Sequence, residues 1–177
     1  MRIVGGAYRG RTLLEFKGQA VRPTSDMVRE SLFNILQFKI AGKTFLDLFC
    51  GTGAVGIEAI SRGAKHVTFN DVSRDSIALT KSNLQKVGIV DVYEITSYNG
   101  GEYFNYTDKK FDYIFIDPPY KSDLGEKALN GISKILADDG MAIYENEKPF
   151  TDEIDGLIIV DRRKYGRAHL TFFKKGE

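Results

Sequence analysis

Hydrophobic and polar positions follow two different periods along most of the chain. From residue 43 onward, short apolar runs at strand spacing are separated by segments whose apolar positions have helical spacing. The strand-like runs are TFLDLF, HVTFND, VYEIT, FDYIFID and MAIYENE, and the helix-like segments are AVGIEAISRG, SRDSIALTKSNLQKVG and DLGEKALNGISKILADDG. Strands that alternate with helices predict a mostly parallel sheet with helices on both faces.

Both ends of the chain depart from this alternation. GLIIVDRRKYG and RAHLTFFKK are strand-like runs joined at a Tyr-Gly step, which predicts an antiparallel hairpin at the sheet edge. At the start, RIVGGAYRGRTLLEF predicts a small hairpin, and RPTSDMVRESLFNILQF predicts a helix capped by Thr24 or Ser25. We therefore expect a doubly wound α/β domain over residues 43–177, preceded by a hairpin-plus-helix extension over residues 1–42.

Length and composition restrict the class of protein. The chain has 177 residues, of which 42% are hydrophobic, and this suits one domain with a buried core. Its one cysteine excludes an internal disulfide, and the N-terminus lacks the apolar run of a signal peptide. No apolar stretch approaches the roughly 20 residues of a membrane span. We expect a cytoplasmic monomer without membrane association.

The net charge of +1 conceals an uneven distribution. Residues 1–42 hold seven Lys and Arg against three acids, and residues 156–177 hold six against two, so each end carries +4. Residues 43–155 hold twelve bases and nineteen acids, a net −7. Basic ends around an acidic centre favour a polyanionic partner held at the edges, although ordinary solvated charge gives the same count.

A glycine-rich loop, DLFCGTGAVG from Asp47 to Gly56, joins the first predicted strand to a helix. Glycines let the backbone turn sharply and approach a ligand, and a helix N-terminus offers N–H groups. We expect Gly51, Thr52 and Gly53 to contact a nucleotide-like cofactor. Asp71 follows the second strand, about 20 residues on, where a carboxylate can accept from ribose hydroxyls.

The loop and the distant carboxylate do not by themselves separate NAD from S-adenosylmethionine, because both contain adenosine. Asp47 lies four residues before the first glycine of the loop. A carboxylate there favours a cofactor with a cationic methionine end over one with a pyrophosphate. A carboxylate that only braces the loop is the alternative interpretation.

The tetrapeptide Asp117-Pro118-Pro119-Tyr120 follows the apolar strand FDYIFI. Two prolines hold the chain extended and remove two N–H donors, so carbonyl groups and the Asp117 carboxylate remain as acceptors. Such acceptors suit an aromatic amino group, whose lone pair is delocalised until its hydrogens are drawn away. Tyr120 would stack on an extruded base. The tetrapeptide therefore predicts methyl transfer to an exocyclic amino group of a nucleic-acid base.

Several other residues are of types that often form binding, catalytic or metal sites. Tyr98 and Asn99 follow the third strand, where a side chain meets adenine in such folds, but ordinary loop chemistry explains them equally well. Cys50 is interpreted as a packed loop thiol. His66 and His169 have no Cys or His partners at metal-ligand spacing, so we expect no metal site.

Arginines recur in the N-terminal part of the chain. Arginine pairs with phosphate in two-pronged fashion and stacks on unpaired bases, so this part is a candidate RNA contact. The alternative is a solvated hairpin with local ion pairs. The candidate RNA-binding residues are Arg9, Arg11, Arg22 and Arg29.

Five segments together resemble the bacterial RsmD-type 16S ribosomal RNA guanine-N2 methyltransferases: RIVGGAYRGR, RPTSDMVRESLFNIL, DLFCGTGAVGIEA, DPPY and KYGRAHLTFF. The resemblance implies a seven-stranded, Rossmann-like methyltransferase fold with S-adenosylmethionine as donor and S-adenosylhomocysteine as product. It implies a guanine of 16S rRNA as acceptor, within an assembled small ribosomal subunit or an assembly intermediate.

Under the resemblance, the residues already singled out take the family's roles. Asp47, Gly51 and Gly53 match the first cofactor motif, Asp71 the ribose-binding carboxylate, and 117–120 the catalytic tetrapeptide. Asp71 stands where relatives often have Glu, and SYNGGEYFNY is less typical of the third motif. Three alternatives stay open: an adenine-N6 methyltransferase on DNA or RNA, an NAD-dependent oxidoreductase, and a non-catalytic RNA-binding module.

Overall fold

The protein is built on a seven-stranded sheet in which strand order differs from chain order. The computed structural model describes residues 1–18 and 25–177, so Arg22 and Thr24 lie outside the described residues. The strands are β1 (Thr44–Asp47), β2 (His66–Asn70), β3 (Tyr93–Thr96), β4 (Phe111–Ile116), β5 (Leu136–Asn146), β6 (Leu157–Tyr165) and β7 (Ala168–Lys175). Their order across the sheet is β3-β2-β1-β4-β5-β7-β6.

The first five strands are parallel, and the last two form an antiparallel hairpin. β1 pairs with β2 and β4, β2 with β3, and β4 with β5, all in parallel. β7 runs antiparallel to β5, and β6 runs antiparallel to β7. The predicted sheet with its antiparallel C-terminal hairpin is confirmed. Because β7 starts where β5 ends, the turn between β6 and β7 lies at the carboxyl edge of the parallel strands.

Helices cover both faces of the sheet, as predicted. They are α1 (Asp26–Leu36), α2 (Ala54–Ser61), α3 (Arg74–Val87), α4 (Leu124–Ile132) and a short 3-10 helix (Gly100–Asn105). One buried cluster packs α1, α2 and α3 against residues such as Phe45 and Phe115. A second cluster packs α4 against the opposite face, at Ile114 and Ile116. Side chains of one strand thus alternate between two cores, as the pleat requires.

The start of α1 agrees with the sequence, whereas the end of α4 does not. The Ser25 hydroxyl caps α1 by accepting from the Val28 backbone N–H, with an oxygen–nitrogen distance of 3.2 Å. The helix predicted over residues 123–140 ends at Ile132. Leu136 is fully buried and pairs with Phe111 of β4, so it belongs to the sheet. The apolar spacing continued past the helix because the strand that follows is also buried.

The N-terminal arm, defined as residues 1–18, is joined by one antiparallel bridge between Arg2 and Thr12. Ile3 and Leu13 enter the buried cluster formed by α1, α2 and α3. The arm therefore shares the core of the sheet, and the boundary between residues 42 and 43 stays a prediction.

Candidate active site

One cavity of about 800 Å³ lies at the carboxyl edge of the sheet. Here β1 and β4 are neighbours in the sheet while their following segments depart toward opposite faces, the usual place for a ligand in such folds. Nine of the residues singled out by sequence line this cavity: Asp47, Gly51, Thr52, Asp71, Asn99, Asp117, Pro118, Pro119 and Tyr120. The topology therefore brings the glycine loop and the tetrapeptide to one site.

The glycine loop is held against α3 by two polar side chains. The Thr80 hydroxyl donates to the Gly51 carbonyl at 3.0 Å, and the Asn83 amide donates to the Thr52 carbonyl at 2.8 Å. Gly53 has φ +81°, and a Cβ there would lie 3.0 Å from the Thr80 methyl carbon. Gly53 therefore shapes the loop from behind and is not among the cavity-lining residues.

Asn83 also reaches the N-terminal arm. Its Nδ2 donates to the Leu14 carbonyl at 3.1 Å, and its Oδ1 accepts from the Leu14 N–H at 2.7 Å. One side chain on α3 thus contacts both the arm and the glycine loop.

Asp47 ends β1 and is only 2% exposed. Its Oδ2 accepts from the Gly56 backbone N–H in the first turn of α2, at 3.0 Å. Burial raises the pKa of Asp47 from 3.8 to about 7, the Gly56 hydrogen bond opposes the rise, and the carboxylates of Asp117 and Asp71 add to it. The start of α2 is therefore occupied by the protein's own carboxylate, as the loop-bracing interpretation expected.

Asp71 lies between the glycine loop and α3. Its Oδ2 accepts from the Gly51 N–H at 3.0 Å, and its Oδ1 accepts from the Ser73 N–H at 2.9 Å. These two bonds fix the carboxylate at the cavity wall.

The tetrapeptide leaves β4 and crosses the cavity opening. The expectation that its carbonyl groups lack local competition is wrong for Pro119, whose oxygen accepts from the Ser122 N–H at 3.2 Å and its hydroxyl at 2.8 Å. This bond closes a turn directly after the tetrapeptide. Tyr120 is 69% exposed and so does not fill a core gap. Asp117 and Pro118, which precede this turn, both line the cavity.

The two candidates after β3 separate in the structure. Asn99 lines the cavity and accepts from the Gly101 N–H at 2.9 Å, which caps the 3-10 helix. Tyr98 is not among the lining residues; its ring stacks on Tyr106, with centroids 4.7 Å apart. Buried Asn70 fixes this loop, because its amide donates to the Tyr98 carbonyl and accepts from the Tyr98 N–H. Asn70 is therefore a site residue that the sequence analysis did not predict.

The arginines of the arm lie away from the cavity. Arg9 and Arg11 are exposed, and Arg11 donates to the Val87 carbonyl at the end of α3. Ser76, near the start of α3, lines the cavity. Since an α-helix rises about 1.5 Å per residue, these two ends of α3 are about 16 Å apart. None of residues 1–18 lines the cavity.

Arg29 is fully buried and has no exposed surface to offer a phosphate. Its guanidinium pairs with Asp26 and lies 3.8 Å from buried Glu58. Glu58 also accepts from the Gly5 N–H at 3.0 Å and pairs with Arg62 at 3.1 Å. The ion-pair alternative therefore describes Arg29: its hydrogen-bonded partner is Asp26 in the first turn of the same helix, and Glu58 on α2 adds a second, longer contact. Helical spacing held the signal, because Leu32, Phe33 and Leu36 follow Arg29 at three, four and seven residues and share its buried face of α1.

Comparisons with known proteins agree with this geometry. A family model described as conserved hypothetical protein 95 matches residues 1–174. Ribosomal RNA small subunit methyltransferase D of Haemophilus influenzae is 35% identical over 133 residues, which cover 73% of this chain and 69% of that protein. Its Escherichia coli namesake is 34% identical, with 83% and 75% covered. This chain belongs to the RsmD-type methyltransferase family.

A solved structure and a full-length relative agree with this family assignment. The solved structure of Escherichia coli yhhF superposes with a TM-score of 0.85 at 27% identity, covering 99% of this chain and 97% of that one. Bacillus subtilis YlbH is 32% identical over 182 residues, with 99% of both chains covered. The RsmD-type resemblance and the Rossmann-like methyltransferase fold expected from sequence are confirmed.

Three cations at the cavity of this RsmD-type protein were missed by sequence reasoning. Lys121 follows the tetrapeptide, Lys148 follows β5, and Arg167 lies in the turn between β6 and β7; all three are exposed and line the cavity. The signal was available, because all three segments were predicted to follow or join strands that end at the same sheet edge.

The expectations for the cysteine, for a metal site and for a membrane span can each be compared with the described residues. Cys50 is buried, as expected of a packed thiol, and burial raises its pKa. In residues 1–18 and 25–177, no group of three or more His, Cys, Asp or Glu is placed to hold a metal ion. No helix within the same ranges is long and apolar enough to cross a bilayer.

Proposed function

We propose that this protein transfers a methyl group from S-adenosylmethionine to the N2 amino group of a guanine in 16S rRNA. One observation carries the proposal: a single cavity is lined by the glycine loop, by Asp71 and by the Asp117–Tyr120 tetrapeptide. The relatives named ribosomal RNA small subunit methyltransferase D support rRNA as the substrate class.

The residues of the loop fit S-adenosylmethionine better than a dinucleotide. A Cβ on Gly51 would meet no atom within 4 Å, so this glycine faces open cavity space that a ligand can fill. A pyrophosphate needs the free N–H groups at a helix start, but Asp47 already accepts from Gly56 there. Its carboxylate repels phosphate and attracts the cationic methionine end. This argues against the NAD alternative.

Three residues supply the remaining cofactor contacts in this proposal. Asp71, fixed by its two backbone hydrogen bonds, accepts from the ribose hydroxyls. Thr52 and Asn99 line the wall on either side. Tyr98 is left out, because its ring stacks on Tyr106 outside the lining residues.

When bound, the cofactor supplies a methyl group on a sulfonium that is readily transferred to a nucleophile. Asp117 accepts a hydrogen bond from one hydrogen of the guanine amino group, and the Pro118 carbonyl accepts one from the other hydrogen. These bonds draw the hydrogens away from the ring plane, so the nitrogen lone pair can point toward the methyl group. Methyl transfer to the amino nitrogen would release the donor as S-adenosylhomocysteine, and Asp117 or solvent would take the amino proton. Pro119 orients the turn, and exposed Tyr120 stacks on the extruded base.

For the partner, we propose 16S rRNA within an assembled small subunit or assembly intermediate, bound by a monomer in the cytoplasm. Arg9 and Arg11 are exposed and stay candidates for RNA contacts remote from the cavity. Arg22 stays a candidate from the sequence alone. Residues 1–42 would then act as an RNA-contacting extension of the methyltransferase domain over 43–177.

The test uses small ribosomal subunits from a bacterial strain that lacks its own family member. Incubation with this protein and labelled donor should place label in N2-methylguanosine after nucleoside digestion and chromatography. Label in N6-methyladenosine would move the assignment to adenine. RNA binding without transfer would leave a non-catalytic module, and calorimetric binding of NAD without S-adenosylhomocysteine binding would overturn the cofactor assignment.

A further inference from the structure

Charges are sorted between the inside and the rim of the cavity. Inside, the carboxylates of Asp47, Asp71 and Asp117 lie close enough for the latter two to raise the pKa of the first. Three more acids line the cavity, Glu126, Glu145 and Glu147, and the first and last of these are exposed, outside the acidic interior. This interior repels phosphate but tolerates an uncharged base. An RNA strand that delivers a base must therefore keep its phosphates outside, on separate cationic contacts.

The rim offers such contacts in three side chains, here named the rim cations: Lys121, Lys148 and Arg167. They come from three separate loops, after β4, after β5 and between β6 and β7. Each loop reaches the carboxyl edge because of the strand directions, and the three side chains are exposed, unlike buried Asp47.

Strand β6 continues the positive charge away from the opening. Residues 161–167, DRRKYGR, hold four bases and one acid. Arg162 and Lys164 are exposed and are two residues apart, so they share one face at about 7 Å spacing. β6 is the last strand in the sheet order, and within the described residues its outer edge has no strand partner. The basic residues therefore line an accessible border that starts at the rim.

Lys121 connects the rim to the base-stacking residue. It has φ +56°, a left-handed conformation that is strained for a lysine. In this conformation its ammonium lies 5.3 Å from the centre of the Tyr120 ring. A phosphate bound at Lys121 would thus lie beside the base stacked on Tyr120.

We propose that the rim cations and the basic side chains of β6 form the track that binds the RNA backbone next to the target base. The proposal rests on the proposed function and assigns its substrate contacts to the C-terminal half of the chain. The RNA phosphates lie on the rim and along β6, and only the base enters the acidic cavity.

The experiment compares three double variants that each remove two positive charges. K148Q/R167Q changes the rim, R162Q/K164Q changes β6, and K65Q/K81Q is the control, with both lysines exposed and outside the cavity lining. Protein-free small-subunit rRNA and intact small subunits serve as probes in filter binding from about 50 to about 200 mM salt. S-adenosylhomocysteine affinity is measured in parallel by calorimetry.

The rim and β6 variants should each lose about tenfold or more in RNA affinity, and their salt slopes should fall by about 1.4 relative to wild type, as expected for two lost contacts to single-stranded RNA. The control should stay within about twofold, with S-adenosylhomocysteine affinity unchanged in all three. RNA binding equal to that of the control in both variants would overturn the track. If the β6 variant self-associates and its RNA affinity is unchanged, β6 is not part of the RNA track. Its charges would then only prevent the edge strand from pairing with another chain.

Failure of the track and failure of the proposed function are distinguishable. If the wild type methylates small subunits while the variants bind RNA like the control, only the track is wrong. If the wild type binds neither probe in a salt-dependent way, both proposals fall.

Discussion

The carboxylate of Asp47 accepts a hydrogen bond from the backbone N–H of Gly56, with 3.0 Å between oxygen and nitrogen. The protein thereby caps the helix that follows its glycine loop with a residue that precedes the loop. The bond occupies an N–H group at the helix start that a pyrophosphate would need.

The stability of the protein without ligand should fall as pH rises between 3.8 and about 7, because burial holds the pKa of Asp47 above its ordinary value. In this window the unfolded chain ionises Asp47 while the folded protein keeps it protonated, so folding loses up to about 4 kcal/mol. Urea denaturation at about pH 5 and about pH 8 should show about 3 kcal/mol of this loss, because the rest occurs below pH 5. Asp47→Asn keeps an acceptor for Gly56 and should remove this slope.

The same substitution should weaken donor binding. Above the Asp47 pKa of about 7, wild type offers a carboxylate to the cationic methionine end, and the amide variant does not. We expect D47N to be more stable than wild type at about pH 8 and to bind S-adenosylmethionine at least about tenfold less tightly, which calorimetry checks. If D47N is instead less stable than wild type at that pH, the ionised carboxylate stabilises the loop and its burial has no net cost in folding free energy.

Asp117→Asn should reduce methyl transfer to small subunits by about 10² or more, because the variant no longer takes the amino hydrogen as an ionised acceptor. The affinity for S-adenosylhomocysteine should stay within about threefold. Single-turnover assays with labelled donor provide the rate. Asp123→Asn is the matched control, since Asp123 is an exposed carboxylate that pairs with Lys127 at 3.0 Å. Near-wild-type turnover by D117N would exclude the proposed role.

Gly53→Ala should destabilise the protein more than Gly10→Ala. Both glycines have a left-handed φ, +81° and +86°, so both substitutions carry similar backbone strain. Only at Gly53 does the new Cβ meet a neighbour, the Thr80 methyl at 3.0 Å, while Gly10 has nothing within 4 Å. We expect a further loss of about 1–2 kcal/mol at Gly53, measured by urea denaturation. Equal losses would mean that Thr80 moves aside freely.

Glu58→Gln should cost more stability than Arg29→Met. In the Glu58→Gln variant the side chain is uncharged, so the fully buried Arg29 guanidinium has less compensating negative charge. We expect the free energy of unfolding to fall by about 3 kcal/mol or more. The Nε and Nη1 atoms of Arg29 have no hydrogen-bond partner in the structure, whereas Glu58 would keep Arg62 and two backbone N–H donors without it. Chemical denaturation of both variants decides the order. A larger loss in R29M would show that the guanidinium is net stabilising.

The sequence predicted the strands, the glycine loop and the tetrapeptide because each is encoded locally, by periodicity or by residues that constrain the backbone. It did not reveal that Leu136 begins a strand, since a buried helix and a buried strand both require apolar residues. Periodicity also could not show that Arg29 faces Glu58, a contact across 29 residues that exists only after α1 docks on α2.

The rim was missed for a related reason. Lys121, Lys148 and Arg167 are far apart in the chain, and only Arg167 belongs to a segment that carries the family resemblance. They meet because three strand connections share the carboxyl edge, which follows from strand direction rather than from any one segment. The N-terminal segment was predicted to contact RNA because it is rich in arginine. Its hairpin packs near the end of α3 that lies farther from the cavity.

Asn83 gives the arm a different importance. A single amide holds Leu14 on one side and Thr52 on the other, so the two segments are thermodynamically linked. Whatever displaces Leu14 loosens a support of the glycine loop, and by reciprocity a ligand that orders the loop favours docking of Leu14. A partner that displaced the arm would therefore change how firmly the glycine loop is held, without entering the cavity.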